Sequence, residues 1–206
     1  MAAAALVVTA GAAGAATVTY QTAEADPKVQ LVIDDTAAGA GKFRFTLTTV
    51  FGVADFLGLG FDFAGASLTS AALSLVSFTS PSATPNTPAL VLFGNNTNSQ
   101  VVCGQGCNFN GAGSSPDPFD YIIRIGQNGG GANFVASVVF DVTTAGSLAN
   151  NPFSLFGVRA QSTSGPEDSI KFGLVQLPPV PVPAAGFLML GALGGLAALR
   201  RRRKAV

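Results

Sequence analysis

The chain has 206 residues, enough for one domain with a substantial core, and carries 25 Gly, 12 Pro and 16 Phe but few charges, which argues against a helical bundle. Eleven Lys and Arg balance eleven Asp and Glu, yet five of the cations lie at 200–204 and every acid lies between Glu24 and Asp168. Without that cluster the body holds six cations against eleven acids, a formal charge of −5, and with no basic stripe nucleic acid is excluded as a partner.

The first segment, MAAAALVVTAGAAGAATVTY, has a short apolar stretch at 2–8 followed by small residues that offer a peptidase Ala13-Gly14-Ala15 or Gly14-Ala15-Ala16. That is the pattern of a secretory signal peptide over residues 1–16, with its positively charged n-region missing and a start expected upstream of Met1. From 17 to 177 the expected unit is a single extracytoplasmic domain. Period-two alternation places Phe43, Phe45 and Leu47 on one face of a strand and Lys42, Arg44, Thr46 and Thr48 on the other. The same spacing predicts half-buried strands carrying Leu57, Leu59, Phe61 and Phe63, then Phe119, Tyr121, Ile123 and Ile125, then Phe134, Ala136, Val138, Phe140 and Val142. Two late strands follow at 153–159 and 170–177. Clusters rich in Gly, Pro and Asn, such as SPSATPNTP, GNNTNSQ and GQNGGG, separate them as turns. No window of the body has a helical repeat. The expected fold is all-β, a β-sandwich of jelly-roll or immunoglobulin-like kind.

Candidate chemistry is sparse. Cys103-Gly104-Gln105-Gly106-Cys107 holds the two cysteines, and in an exported chain an even count predicts that they form a disulfide, the glycines allowing a tight ring. With no histidine and no third cysteine there is no zinc site and no Ser-His-Asp or Cys-His nucleophile. The two glutamates, Glu24 and Glu167, are unlinked, so no carboxylate pair for glycoside hydrolysis is visible and the chain is not expected to be an enzyme. No cofactor is expected apart from Ca²⁺, for which Asp117 and Asp120 are the candidate ligands, although no spacing matches an EF-hand.

After 177 the composition changes. A Pro-rich linker at 178–183 is followed by an apolar run at 184–199, about 24 Å long as a helix, and a basic tail at 200–206. With the extended linker the run reaches bilayer thickness, and Arg200, Arg201, Arg202, Arg203 and Lys204 orient it as a transmembrane helix with its cations in the cytoplasm and the body outside.

The succession of Val180, Pro181, Val182, Pro183 and Ala184, a short Gly-rich span and a terminal Arg cluster resembles the PEP-CTERM sorting tails of Gram-negative bacteria, in particular the VPLPA-CTERM variant, with Val182 where that variant has leucine. The resemblance covers about an eighth of the chain. It implies that the chain is the substrate of an exosortase, a membrane transpeptidase that would process it near the motif and pass the body to the cell surface or exterior. The expected function is then structural or adhesive at the cell surface. The alternatives are an exopolysaccharide-binding module, then a glycoside-active enzyme, which would need a cleft with two converging carboxylates, and, for the tail, a plain membrane anchor that is never cut.

Overall fold

A computed structural model describes residues 17–96, 100–110 and 118–178. Ten strands make up the fold: β1 (Thr17–Thr22), β2 (Lys28–Asp34), β3 (Lys42–Phe51), β4 (Asp55–Phe63), β5 (Leu73–Thr79), β6 (Val91–Gly94), β7 (Tyr121–Arg124), β8 (Ser137–Thr143), β9 (Phe153–Gln161) and β10 (Ser169–Gln176). The helical content among these residues is three single turns of 3-10 helix at Ser70–Ala72, Gly131–Asn133 and Leu148–Asn150. All pairings are antiparallel and run in the order β5-β8-β3-β2-β1-β10-β9-β4-β7-β6.

This sheet folds over on itself at β10. The last residues of β10 pair with β1, Thr22 opposite Leu174, whereas its first residues pair with β9, Ile170 opposite Ala160. One strand therefore serves both halves and turns the corner between them. The free edges β5 and β6 come near one another on the far side, where Leu92 N donates to Ser70 Oγ at 3.3 Å in place of a ladder. The result is a nearly closed all-β sheet.

Alternation explains the core. In β2, β3 and β8 the inward rows are Ile33, Phe45 and Phe140, and next to them Leu31, Leu47 and Val138, each row in cross-strand register and fully buried. The opposite half contributes Leu59, Phe61, Tyr121, Ile123, Phe153, Phe156 and Val158. Phe45 joins the halves: its ring lies 5.1 Å from Phe153 edge-on, 6.3 Å from Phe61 and 5.2 Å from Phe140, which it stacks. Such offset and edge contacts suit the quadrupole of the rings. At the polar margin, Arg44 Nε and Nη2 donate to Asp141 Oδ1 and Oδ2 at 2.8 and 3.1 Å, tying β3 to β8 through a two-point pair.

Three strands depart from simple alternation. β4 is buried on both faces along nearly its whole length. A bulge between Phe56 and Gly58 puts Phe56 and Leu59 in the main core and turns Leu57 to the outer face, so Leu57 does not share a face with Leu59, Phe61 and Phe63 as its spacing predicts. In the same way Phe119 precedes β7 and joins Leu57 outside, while Tyr121, Ile123 and Ile125 stay inside. Before β8 it is Val135, not Phe134 or Ala136, that is buried, because the chain there is a loop and the strand's period begins only at Ser137.

The registers define two ends of the molecule. The start of β4, the end of β9 and the start of β10 lie together, as do Lys28 and Phe51. The opposite end gathers the end of β4 with the start of β9, and Thr17 of β1 with Asp34 of β2. The chain leaves β10 at this second end, with Leu177 N donating to Thr19 O at 2.8 Å.

Candidate functional site

The outer face of β4 is where sequence and structure meet least expectedly. Two glycines alternate there in Leu57-Gly58-Leu59-Gly60, and each leaves space that a covering segment fills. A Cβ on Gly58 would lie 2.9 Å from Cys107 Sγ and 3.2 Å from Cys103 Sγ; one on Gly60 would lie 2.5 Å from the ring of Phe119. Glycine permits this close approach. The segment itself is a small β-ribbon, with Gln100 paired to Phe119 and Val102 to Asn108.

Its tip is the cysteine pair. Cys103 and Cys107 stand at disulfide distance with Cα atoms 5.1 Å apart, and both are fully buried. Cys103 N donates to Cys107 O at 2.9 Å, closing the ring, and Gly104 and Gly106 supply the positive φ, 89° and 71°, that so tight a turn requires. With Leu57, Phe109, Phe119 and Ile122 the two cysteines form a second hydrophobic cluster, separate from the main core. Phe109 and Phe119 meet edge to face at 5.1 Å.

Two cations, Arg124 and Lys171, hold this segment down, and a third, Arg159, lies between them. Cross-strand register sets Arg124, Gly58, Arg159 and Lys171 in one row on β7, β4, β9 and β10. Arg124 Nη1 donates to Cys103 O at 3.0 Å and Gln105 O at 2.8 Å, and its Nε to Gly126 O at 2.9 Å. Lys171 Nζ donates to Asn108 Oδ1 at 2.9 Å and to Asn110 O. Arg159 donates from Nη1 to Ile170 O at 3.1 Å and to Ala160 O, while its Nε is buried without a hydrogen-bond partner. Burial lowers the pKa of both Arg124 and Arg159 from the ordinary arginine value.

Beside the ribbon lies a cleft of about 460 Å³, a size suited to a small ligand. Asn86, Gln105, Arg124, Gln127, Asn128 and Asn133 with Thr87 supply its polar lining, Val91, Ile125 and Val135 are among its apolar members, and no acidic residue contributes. Asn86 Nδ2 donates to Asn133 Oδ1 at 2.9 Å, and Gly106 packs against Asn128, so the cysteine ring forms part of the wall. Behind it Asp55, fully buried, accepts from Val135 N at 2.9 Å and Gln161 Nε2 at 2.8 Å. Burial raises the pKa of Asp55, against the lowering effect of these two hydrogen bonds. The cleft sits at the Asp55 end of the molecule, the end away from the exit of the chain.

Of the candidate calcium ligands, Asp117 lies outside the described residues. Asp120 Oδ2 accepts from Phe63 N at 3.1 Å and Asp120 N donates to Asp62 Oδ1 at 3.0 Å, so this pair of carboxylates fastens β4 to the start of β7. Among the described residues no group of three His, Cys, Asp or Glu side chains could hold a metal ion. Residues 1–16, Val180 to Ala184 of the expected sorting motif, the apolar run and Arg200 to Lys204 also lie outside the described residues, among which no helix is long and apolar enough to cross a membrane. The sequence reading missed the cleft and Arg124. Their signal was faint: Asn and Gln are ordinary turn residues, and only folding converges three loops on one arginine. No protein-family model matches the chain, and neither a curated protein nor a solved structure is similar to it.

Proposed function

We propose that this chain is an exported, non-catalytic surface protein of a Gram-negative bacterium. Its β-domain works outside the inner membrane in a structural or adhesive role, and its tail is recognised at Val180 to Ala184 by an exosortase-type enzyme. We read the folded sheet as a β-sandwich of the jelly-roll or immunoglobulin-like kind. The observation that carries the proposal is the cysteine pair at disulfide distance at the tip of the ribbon, because such a pair persists in oxidising compartments and is rare in the cytosol. The polarity of the domain supports it. A body tethered through the residues after Leu177 would turn the opposite end outward, and that end carries the cleft and the β3–β4 hairpin, where Phe51 is 62 % exposed.

A second reading, binding of exopolysaccharide, is favoured by the carboxamide lining of the cleft. Stacking on tyrosine plays no part in it, since Tyr20 and Tyr121 are both buried.

The first reading is tested at the tail. Replacing Pro181 and Pro183 by Ala leaves the apolar run and its cations unchanged but removes the residues that hold the motif extended for a peptidase to grip. An unprocessed, membrane-associated form should accumulate, seen by intact mass after fractionation. Wild-type processing and release of the double variant would leave a plain anchor as the better account.

A further inference from the structure

We infer that the cleft at the Asp55 end is a binding site for a carboxylate-bearing, hydroxyl-rich ligand, a uronate unit of an acidic oligosaccharide. The inference deepens the second reading above and does not depend on where the protein resides.

Arg124 is the first reason. Its Nε and Nη1 are committed to three carbonyl oxygens, which fix the plane of the guanidinium, while Nη2 donates to no partner among the described residues. No carboxylate pairs with it there; the ion pair at Arg44 and Asp141 belongs to the other half of the sheet. A partly desolvated cation held in one orientation by backbone oxygens is prepared for an anion, because the cost of ordering it has been met by the fold. Charge around it is the second reason. The lining has no acid, and the nearest buried carboxylate, Asp55, has both oxygens committed, to Val135 N and Gln161 Nε2. In a body of net negative charge this is a place where an anion meets a cation and no repulsion at the lining.

The carboxamides decide between kinds of anion. Gln105, Gln127 and Asn128 each bring both a donor and an acceptor, the complement of hydroxyl groups, which also do both, while Asn86 and Asn133 spend part of theirs on one another. The residues of the site come from loops at 86–89 and 126–133, from the cysteine ring and, through Val91 and Arg124, from β6 and β7. Because β6 is a sheet edge to which an acidic peptide could add, the test includes a peptide probe of the same charge.

The test uses the disulfide-intact protein and three probes in titration calorimetry: trigalacturonate, a neutral galactotriose, and triglutamate. Trigalacturonate should bind, more weakly as salt rises, and the other two should not. Gln127→Glu places a carboxylate in the cleft at an exposed position that takes no part in the Arg124 clamp. It should weaken trigalacturonate binding by roughly tenfold or more through like-charge juxtaposition, with the melting temperature unchanged. Equal binding of triglutamate would overturn the role of the hydroxyls, and equal binding of the neutral trisaccharide would overturn the role of the charge while leaving a glycan-binding domain in place. Binding of no probe, or unaltered trigalacturonate binding by Gln127→Glu, would overturn the site.

Discussion

Replacing Gly60 by Ala isolates the contact on which the outer cluster rests. Two effects oppose each other. Gly60 has an ordinary strand backbone, so alanine is conformationally allowed and should gain about 0.5–1 kcal/mol from the smaller backbone entropy lost on folding. Against this, the new Cβ would stand 2.5 Å from Cδ2 and Cε2 of Phe119 and 2.8 Å from its Cγ. Carbon atoms sit best at about 3.5–4.0 Å, so the ring must retreat by about 1 Å. Phe119 is 1 % exposed and held edge-on against Phe109, so it cannot retreat without breaking that contact. Overpacking of this kind costs about 1–3 kcal/mol. The steric term wins over nearly all of this range, and a net loss of up to about 2.5 kcal/mol should lower the melting temperature by up to about 10 °C in a domain of this size. Thermal unfolding followed by far-ultraviolet circular dichroism measures it. Phe119→Ala removes the obstacle, and in that background Gly60→Ala should be neutral or stabilising. An equal loss in both backgrounds would refute the argument, since the cost would then have nothing to do with the ring.

Other expectations follow from the same geometry. Mass spectrometry of the folded protein, produced in an oxidising compartment and kept unreduced, should find it two hydrogens lighter than the dithiol. Replacing both Cys103 and Cys107 by Ser should cost about 2 kcal/mol from loop closure alone, while two alkylatable thiols in the folded, secreted chain would contradict the pairing. Asp55 titrates above its unfolded value because it is buried. Its contribution to stability is therefore fully present below the unfolded pKa and lost as pH rises through the folded one. Asp55→Asn, whose amide Gln161 can meet by turning over its own, should accordingly gain on the wild type at pH 7 and lose that advantage toward pH 4. Denaturant midpoints that stay parallel across this range would show that Asp55 is not the group responsible.

Much of the interior was legible from spacing alone. Phe43, Phe45 and Leu47 alternate with polar neighbours, Val138, Phe140 and Val142 recur at the same spacing, and a strand's period of two assigns each set to one face whatever its partners. The class of fold follows from many such strands between Gly-, Pro- and Asn-rich turns. The placement of Leu57 and Phe119 was not legible, because a bulge shifts the period by one residue and a local pattern holds no record of what covers the other face. The pairing of β10 with both β1 and β9 is likewise a long-range matter. Gly58 and Gly60 illustrate the division well. As residues they state only that side chains are absent; the disulfide-distance pair and the Phe119 ring that fill the space arrive from more than forty positions away. The cleft belongs to the same category: its carboxamides are turn residues in the sequence, and only the tertiary fold brings three loops around Arg124. The proposed sorting tail is the reverse case. The reading of Val180 to Ala184 and Arg200 to Lys204 rests on linear order, since a motif gripped in extended form and a charge cluster beside an apolar run would act through sequence and need no tertiary partner.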